Sequence, residues 1–152
     1  MREMRVCLAA SAGGHLTQLL KLKHSWRQYE AVYVSTVPVV TKRLQQHGRT
    51  YIIGECNRNH PFKSILVLAR CMRIAIKERP DVVISTGAMP AFLFCVAAKI
   101  IGAKIVWLDS IANTRKLSMS GQAVRYFADL FLTQWPAIAE KYKNVECVGT
   151  VV

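Results

Sequence analysis

The chain has 152 residues, 52% of them hydrophobic, and carries 21 Lys and Arg against 9 Asp and Glu, a formal net charge of +12. That composition excludes a disordered tail. A chain of this length buries about 68–70% of its unfolded surface as one domain and is short for a two-domain enzyme. The charge is uneven: residues 1–79 hold 14 basic and 4 acidic side chains, residues 80–152 hold 7 and 5. The basic surface therefore belongs to the first half and points to an anionic partner, either nucleic acid or an acidic membrane surface.

β-branched apolar runs alternate with helix-period segments along the whole chain, the pattern of a parallel sheet with crossover helices. In chain order, the patterns predict strands over Arg5–Ala10, Ala31–Ser35, Thr50–Ile53, Val82–Ser85, Lys104–Leu108, Leu130–Thr133 and Val145–Val148. Between them they predict helices over Leu16–Arg27, Val39–His47, Phe62–Glu78, Pro90–Ile101, Ser120–Ala128 and Pro136–Lys141. The expected fold is α/β: one Rossmann-like, doubly wound domain over 1–152, its mainly parallel sheet covered by helices on both faces. The start, Met1 to Arg5, leads straight into a short strand-like run, too short for a signal-peptide core. The longest uncharged apolar stretch, Ala88 to Ala98, is about half of what a spanning helix needs. Five cysteines (Cys7, Cys56, Cys71, Cys95, Cys147) make no C-x-x-C pair and no metal-ligand spacing, which fits a reducing compartment.

In open parallel sheets ligands bind beyond the carboxyl ends of the strands, near the point where strand order reverses. The first such loop, Ser11-Ala12-Gly13-Gly14-His15, opens directly into a helix whose free N–H groups suit a phosphate. It is not G-x-G-x-x-G, and Ser35-Thr36 stand where a dinucleotide fold ends its second strand in an acid, so a dinucleotide is not expected. His15, in the first helical turn, is a candidate general base or diphosphate contact, with a capping or packing role as the alternative. His24, His47 and His60 share no spacing and read as surface residues.

After the fourth strand, Thr86 and Gly87 form a second glycine turn at a helix start, a second candidate anion or acceptor contact, with Pro90 suited to the first helical turn. The apolar helix that follows reads as buried against the sheet. The fifth strand ends at Asp109, a carboxylate placed for a base or a sugar-hydroxyl acceptor. Beyond it lie Arg115 in a basic loop and Ser118 and Ser120, which either contact the acceptor or cap the next helix. In Phe62–Glu78, Lys63, Arg70, Arg73 and Lys77 fall on one helical face beside broad apolar surface, which suits an interfacial helix with its charged heads in lipid phosphates. At about 1 kcal/mol per basic residue near an anionic leaflet, the four supply on the order of 4 kcal/mol. No helix-turn-helix, zinc-finger or exposed-aromatic pattern accompanies the charge, which weighs against nucleic acid.

Together, Ser11 to Leu16, Trp107-Leu108-Asp109-Ser110, Leu117-Ser118-Met119-Ser120-Gly121 and Ala128 to Pro136, with Tyr142 and Gly149, carry a resemblance over essentially the whole chain. The chain resembles the oligosaccharide-biosynthesis subunit that anchors the two-component UDP-N-acetylglucosamine transferase of dolichol-linked glycan assembly, and its bacterial exopolysaccharide and capsule counterparts of the PssD type. The resemblance implies the N-terminal, acceptor-binding half of a GT-B glycosyltransferase, similar to that half of the peptidoglycan enzyme acting on a lipid-linked muramoyl peptide. It further implies a separate donor-binding partner chain docked near the C-terminal segment, a polyprenyl-diphosphate-linked sugar as acceptor, and no metal or other cofactor. On the same ground Ser11, Gly13, Gly14 and His15 face the acceptor diphosphate, and Asp109 matches an acidic position where Glu is more usual. The eukaryotic subunit begins with a membrane-spanning segment not seen here, so the expected location is peripheral, on the cytoplasmic face of a bacterial inner membrane. A non-catalytic scaffold that recruits the transferase is the alternative.

Overall fold

The computed structural model describes residues 2–151; Met1 and Val152, the two ends of the expected domain span, lie outside the described residues. Seven strands form one all-parallel sheet in the order β3-β2-β1-β4-β5-β6-β7. They are β1 (Arg5–Ala10), β2 (Glu30–Ser35), β3 (Arg49–Ile52), β4 (Val82–Gly87), β5 (Lys104–Leu108), β6 (Leu130–Thr133) and β7 (Glu146–Cys147). The crossovers are α1 (Gly14–Lys21), α2 (Thr41–Gln45), α3 (Pro61–Glu78), α4 (Met89–Ile100), α5 (Met119–Val124) and α6 (Pro136–Lys141).

Side chains alternate across β1, and each set meets its own core. Val6, Leu8 and Ala10 pack with Leu16, Leu19, Trp26 and Leu44 from the α1 and α2 side. Cys7 and Ala9 pack with Val67, Cys71, Phe94, Val124 and Ile138 from the side of α3 to α6. Strand order reverses between β1 and β4, so the crevice expected at the switch point opens between the ends of these two strands. α4 is buried along most of its length, as its apolar sequence requires.

Two expected helices are shorter and tighter. Leu16–Arg27 divides into α1 and a 3-10 turn over Lys23–Trp26, because Leu22 N–H bonds back three residues to the Leu19 carbonyl. Val39–His47 divides likewise into a 3-10 turn over Pro38–Val40 and α2. Four cysteines are buried and Cys147 is exposed; burial pushes the Cys71 thiol up to about 12, which keeps it protonated and inert.

The end of the sheet opposite the crevice is held by charge. Arg5 and Arg49 both bond Glu30, at 2.9 and 2.6 Å, and Arg49 also bonds the buried Glu78 at 2.8 Å. Asp81 accepts from the Arg5 backbone N–H and from Arg2, both at 2.8 Å. The Arg5 hydrogen bond, reinforced by Arg49, holds the Glu30 carboxyl below the usual carboxylate range, and the Arg5 N–H does the same for Asp81. Both groups therefore bind protons more readily in the unfolded chain, so their stabilisation is present above their ordinary values and is lost as pH falls through the lowered ones. Urea unfolding is expected to show stability declining below about pH 4.5, and Asp81→Asn is expected to flatten the decline.

Candidate functional site

Two helices begin at the crevice. At the end of β1, Gly13 takes φ 101° as the residue preceding α1, whose first turn receives no side-chain cap. Gly13 and Gly14 are exposed, and a Cβ on either would meet nothing within 4 Å, so the start of α1 faces open space. The loop is braced from β2: the Thr36 hydroxyl accepts from Ala12 N–H at 3.1 Å, and the Ser35 hydroxyl donates to the Ala10 carbonyl at 2.9 Å. At the end of β4, Gly87 (φ 129°) and Ala88 (φ 80°, ψ 157°) turn the chain into α4, which also starts uncapped. Ala88 stands in a region nearly reserved for glycine, a strain stored beside the crevice.

His15 joins the two starts. Its Nδ1 lies 2.9 Å from the Thr86 carbonyl, and the Thr86 hydroxyl donates to the His15 carbonyl at 2.6 Å. With the proton assigned to Nδ1 by that acceptor, Nε2 keeps its lone pair. Gly87 is required here, since a Cβ on it would come within 2.8 Å of the imidazole. Thr86 is fully buried and spends both its groups on His15.

Asp109 is 1% exposed, and both its oxygens are occupied. Oδ1 accepts from Trp107 Nε1 at 3.1 Å and Ser118 Oγ at 2.6 Å; Oδ2 accepts from Asn113 Nδ2 at 3.1 Å and Ser118 N–H at 2.9 Å. Ser118 Oγ in turn accepts from Gly121 N–H at 2.9 Å and so caps α5, while Ser120 lies inside that helix. The carboxylate thus ties Trp107 of β5 to Asn113 and Ser118 of the loop that carries Arg115, whose side chain is exposed. Ser11, at the end of β1, is buried.

A second set of polar groups escaped the sequence reading. Gln134, 1% exposed, donates to Gln18 Oε1 at 2.9 Å and to the Asp109 carbonyl at 3.1 Å, and accepts from Val151 N–H at 2.8 Å. Trp135 Nε1 donates to the Ile111 carbonyl at 2.8 Å. The signal for both was the Gln134-Trp135-Pro136 segment, quoted for its resemblance but not for any contact.

On α3 all four basic residues are exposed; Arg70 also donates to the Ile53 carbonyl at 3.0 Å, and the Lys77 ammonium lies 5.5 Å over the Tyr51 ring. The apolar surface expected beside them includes an exposed stripe at helical spacing: Phe62 (82% exposed), Ile65 (62%) and Leu66 (59%). Met119 at the start of α5 is also exposed, and its sulfur meets Arg58 Nη1 at 3.5 Å, so Arg58 links the α5 start to the segment leading into α3. Among the described residues no helix is long and apolar enough to cross a membrane, and no three His, Cys, Asp or Glu side chains converge to hold a metal ion.

Residues 6–151 match the family described as oligosaccharide biosynthesis protein Alg14 like. The UDP-N-acetylglucosamine transferase subunit alg14 of Schizosaccharomyces pombe is 40% identical over 167 residues, covering 92% of this chain and 80% of that protein. The human ALG14 subunit is 35% identical over 180 residues, covering 98% and 83%. Among solved structures, MurG of Acinetobacter baumannii is similar with a TM-score of 0.81 at 18% identity, over 98% of this chain and 46% of that one. A UDP-N-acetylglucosamine 2-epimerase from Rickettsia bellii gives 0.74 at 17% identity, over 98% and 45%. These two likenesses establish the Rossmann-like fold, and the chain spans less than half the length of either protein.

Proposed function

The chain belongs to the Alg14-like family of oligosaccharide-biosynthesis proteins, and on that premise we propose that it is the acceptor- and membrane-binding subunit of a two-chain glycosyltransferase. Its acceptor is a polyprenyl-diphosphate-linked saccharide, and a separate nucleotide-sugar-binding chain supplies the donor across the crevice. The observation that carries this reading is the pair of uncapped helix starts, α1 and α4, joined by His15 at the switch point. Two positive helix ends with free N–H groups suit a diphosphate, and a neutral imidazole with Nε2 free accepts the proton of an attacking hydroxyl. In this mechanism His15 takes that proton while the helix starts hold the acceptor diphosphate. Ser11, Gly13 and Gly14 line its path, Thr86 and Gly87 fix the ring, and Asp109, Ser118 and Ser120 shape the loop that presents Arg115.

The relatives are named as subunits, which supports a partner chain. The α1 face of the sheet offers a surface for it: Ile84, Val106 and Leu132 line an apolar hollow of about 280 Å³ together with Val148 and Val151. For the membrane, Phe62, Ile65 and Leu66 insert and Lys63, Arg73 and Arg58 meet lipid phosphates, a peripheral attachment to an anionic leaflet on the cytoplasmic face. Exopolysaccharide or capsule assembly in a bacterium is the setting this arrangement fits.

The test is reconstitution with a donor-binding partner, UDP-N-acetylglucosamine and a polyprenyl-diphosphate saccharide on anionic vesicles. Transfer is expected only with both chains present. Phe62→Glu with Leu66→Glu is expected to weaken vesicle sedimentation at least about tenfold, by loss of apolar insertion, without changing transfer to a detergent-soluble acceptor. Vesicle binding indifferent to both substitutions overturns the membrane assignment.

A further inference from the structure

The side-chain amide of Gln134 touches four parts of the molecule. Its Nε2 donates to Gln18 on α1, the helix that carries His15, and to the carbonyl of Asp109 at the end of β5; its own position lies just past β6; its Oε1 accepts from Val151 N–H. Gln18 Oε1 also accepts from Ile111 N–H at 3.4 Å, so the loop after β5 joins the same cluster. Gln134 and Gln18 are both buried, where an amide held by three directed bonds has no slack and no water to replace a lost partner. The segment that ends at Val151 is otherwise lightly held: Val148 N–H bonds the Thr133 carbonyl at 3.0 Å, and Val148 is half exposed.

We propose that Gln134 is a positioning residue that couples the 148–151 segment to the acceptor crevice. The donor-binding chain seated in the apolar hollow that Val148 and Val151 help line shifts the Val151 N–H, and the amide that follows it is the one that sets the distance between α1 and the end of β5. Gln134 touches no substrate; it acts through the placement of His15 and of the loop anchored at Asp109. This inference rests on the acceptor reading of the crevice for its kinetic consequence, and on hydrogen bonds alone for its structural one.

Gln134→Glu is the sharpest probe. It keeps the shape and the Oε1 acceptor for Val151, but sets an acceptor against Gln18 Oε1 and the Asp109 carbonyl. In the isolated chain, amide hydrogen exchange of Thr17 to Leu20, the hydrogen-bonded amides of α1, and of Val151 is expected to accelerate together by at least about tenfold, while the β2 and β3 amides keep their rates. In the reconstituted two-chain enzyme the KM for acceptor is expected to rise at least about tenfold with kcat within about threefold. Gln134→Leu, which removes the bonds without repulsion, is expected to move both readouts in the same direction. Uniform acceleration across all strands shows general destabilisation and overturns the proposal, as does acceleration at Val151 with α1 unchanged. Coupled exchange in the isolated chain with no change in acceptor KM upholds the coupling and refutes instead the acceptor role of the crevice.

Discussion

His15→Ala lowers sugar transfer by at least about 10²-fold in the reconstituted enzyme while leaving partner affinity and stability nearly unchanged; that is the first expected result. The small stability effect follows from the structure, since the ring is half-buried and its one hydrogen bond is to the Thr86 carbonyl, a net contribution of about 1 kcal/mol. The large catalytic effect follows from the position of the ring between two uncapped helix starts. The manner of the loss separates two roles. Removing a proton acceptor lowers kcat, with KM little changed, and abolishes the acidic limb of the pH–rate profile. Removing a diphosphate contact raises the acceptor KM instead, and His15→Gln restores part of it. Transfer close to normal in His15→Ala would show that the chain recruits its partner without contributing to the chemistry, the scaffold alternative.

The second large effect is on stability. Asp109→Ala is expected to cost about 3–4 kcal/mol in urea unfolding, because it strands the Trp107 indole N–H, the Ser118 amide and the Asn113 amide and releases the hydroxyl that caps α5. Asp109→Asn keeps one oxygen but turns an N–H₂ group toward existing donors, and is expected to cost about half as much. Transfer falls in both variants through disorder of the loop after β5, with the pH dependence of the remaining activity unshifted. An Asp109→Ala chain of full stability and no activity would instead identify the carboxylate as a participant in proton transfer.

The two residues show where sequence reasoning reached and where it stopped. The fold was legible because period-2 and period-3.6 patterns alternate without interruption, and the switch-point rule then located the crevice before any contact was known. The place of His15 at the start of α1 was legible because a glycine pair before a helix constrains where the next side chain stands. Asp109 was legible as a position but not as an anchor of its loop: a strand-end carboxylate looks the same in sequence whether its lone pairs face solvent or, as here, face Trp107 and Ser118. Gln18 and Gln134 left no local trace, since their pairing joins residues far apart in sequence and amides carry no charge to attract notice. The basic face of α3 was drawn from spacing alone, which does not reveal that Arg70 reaches back to Ile53 while Phe62 and Leu66 stay outside.

The central place of β1 bears on how the chain acquires its structure. β1 is the first strand made, and its register with β4 pairs Val6 with Val82, backed by the bond from Arg5 to Asp81. One edge of β1 therefore stays unpaired until β4 has been synthesised, and closing so long a loop precedes the contacts that reward it. Such a topology folds slowly and exposes an apolar strand edge meanwhile. Mutations along the β1–β4 seam, such as Val83→Ala, are expected to act more on yield from synthesis than on the finished molecule's chemistry.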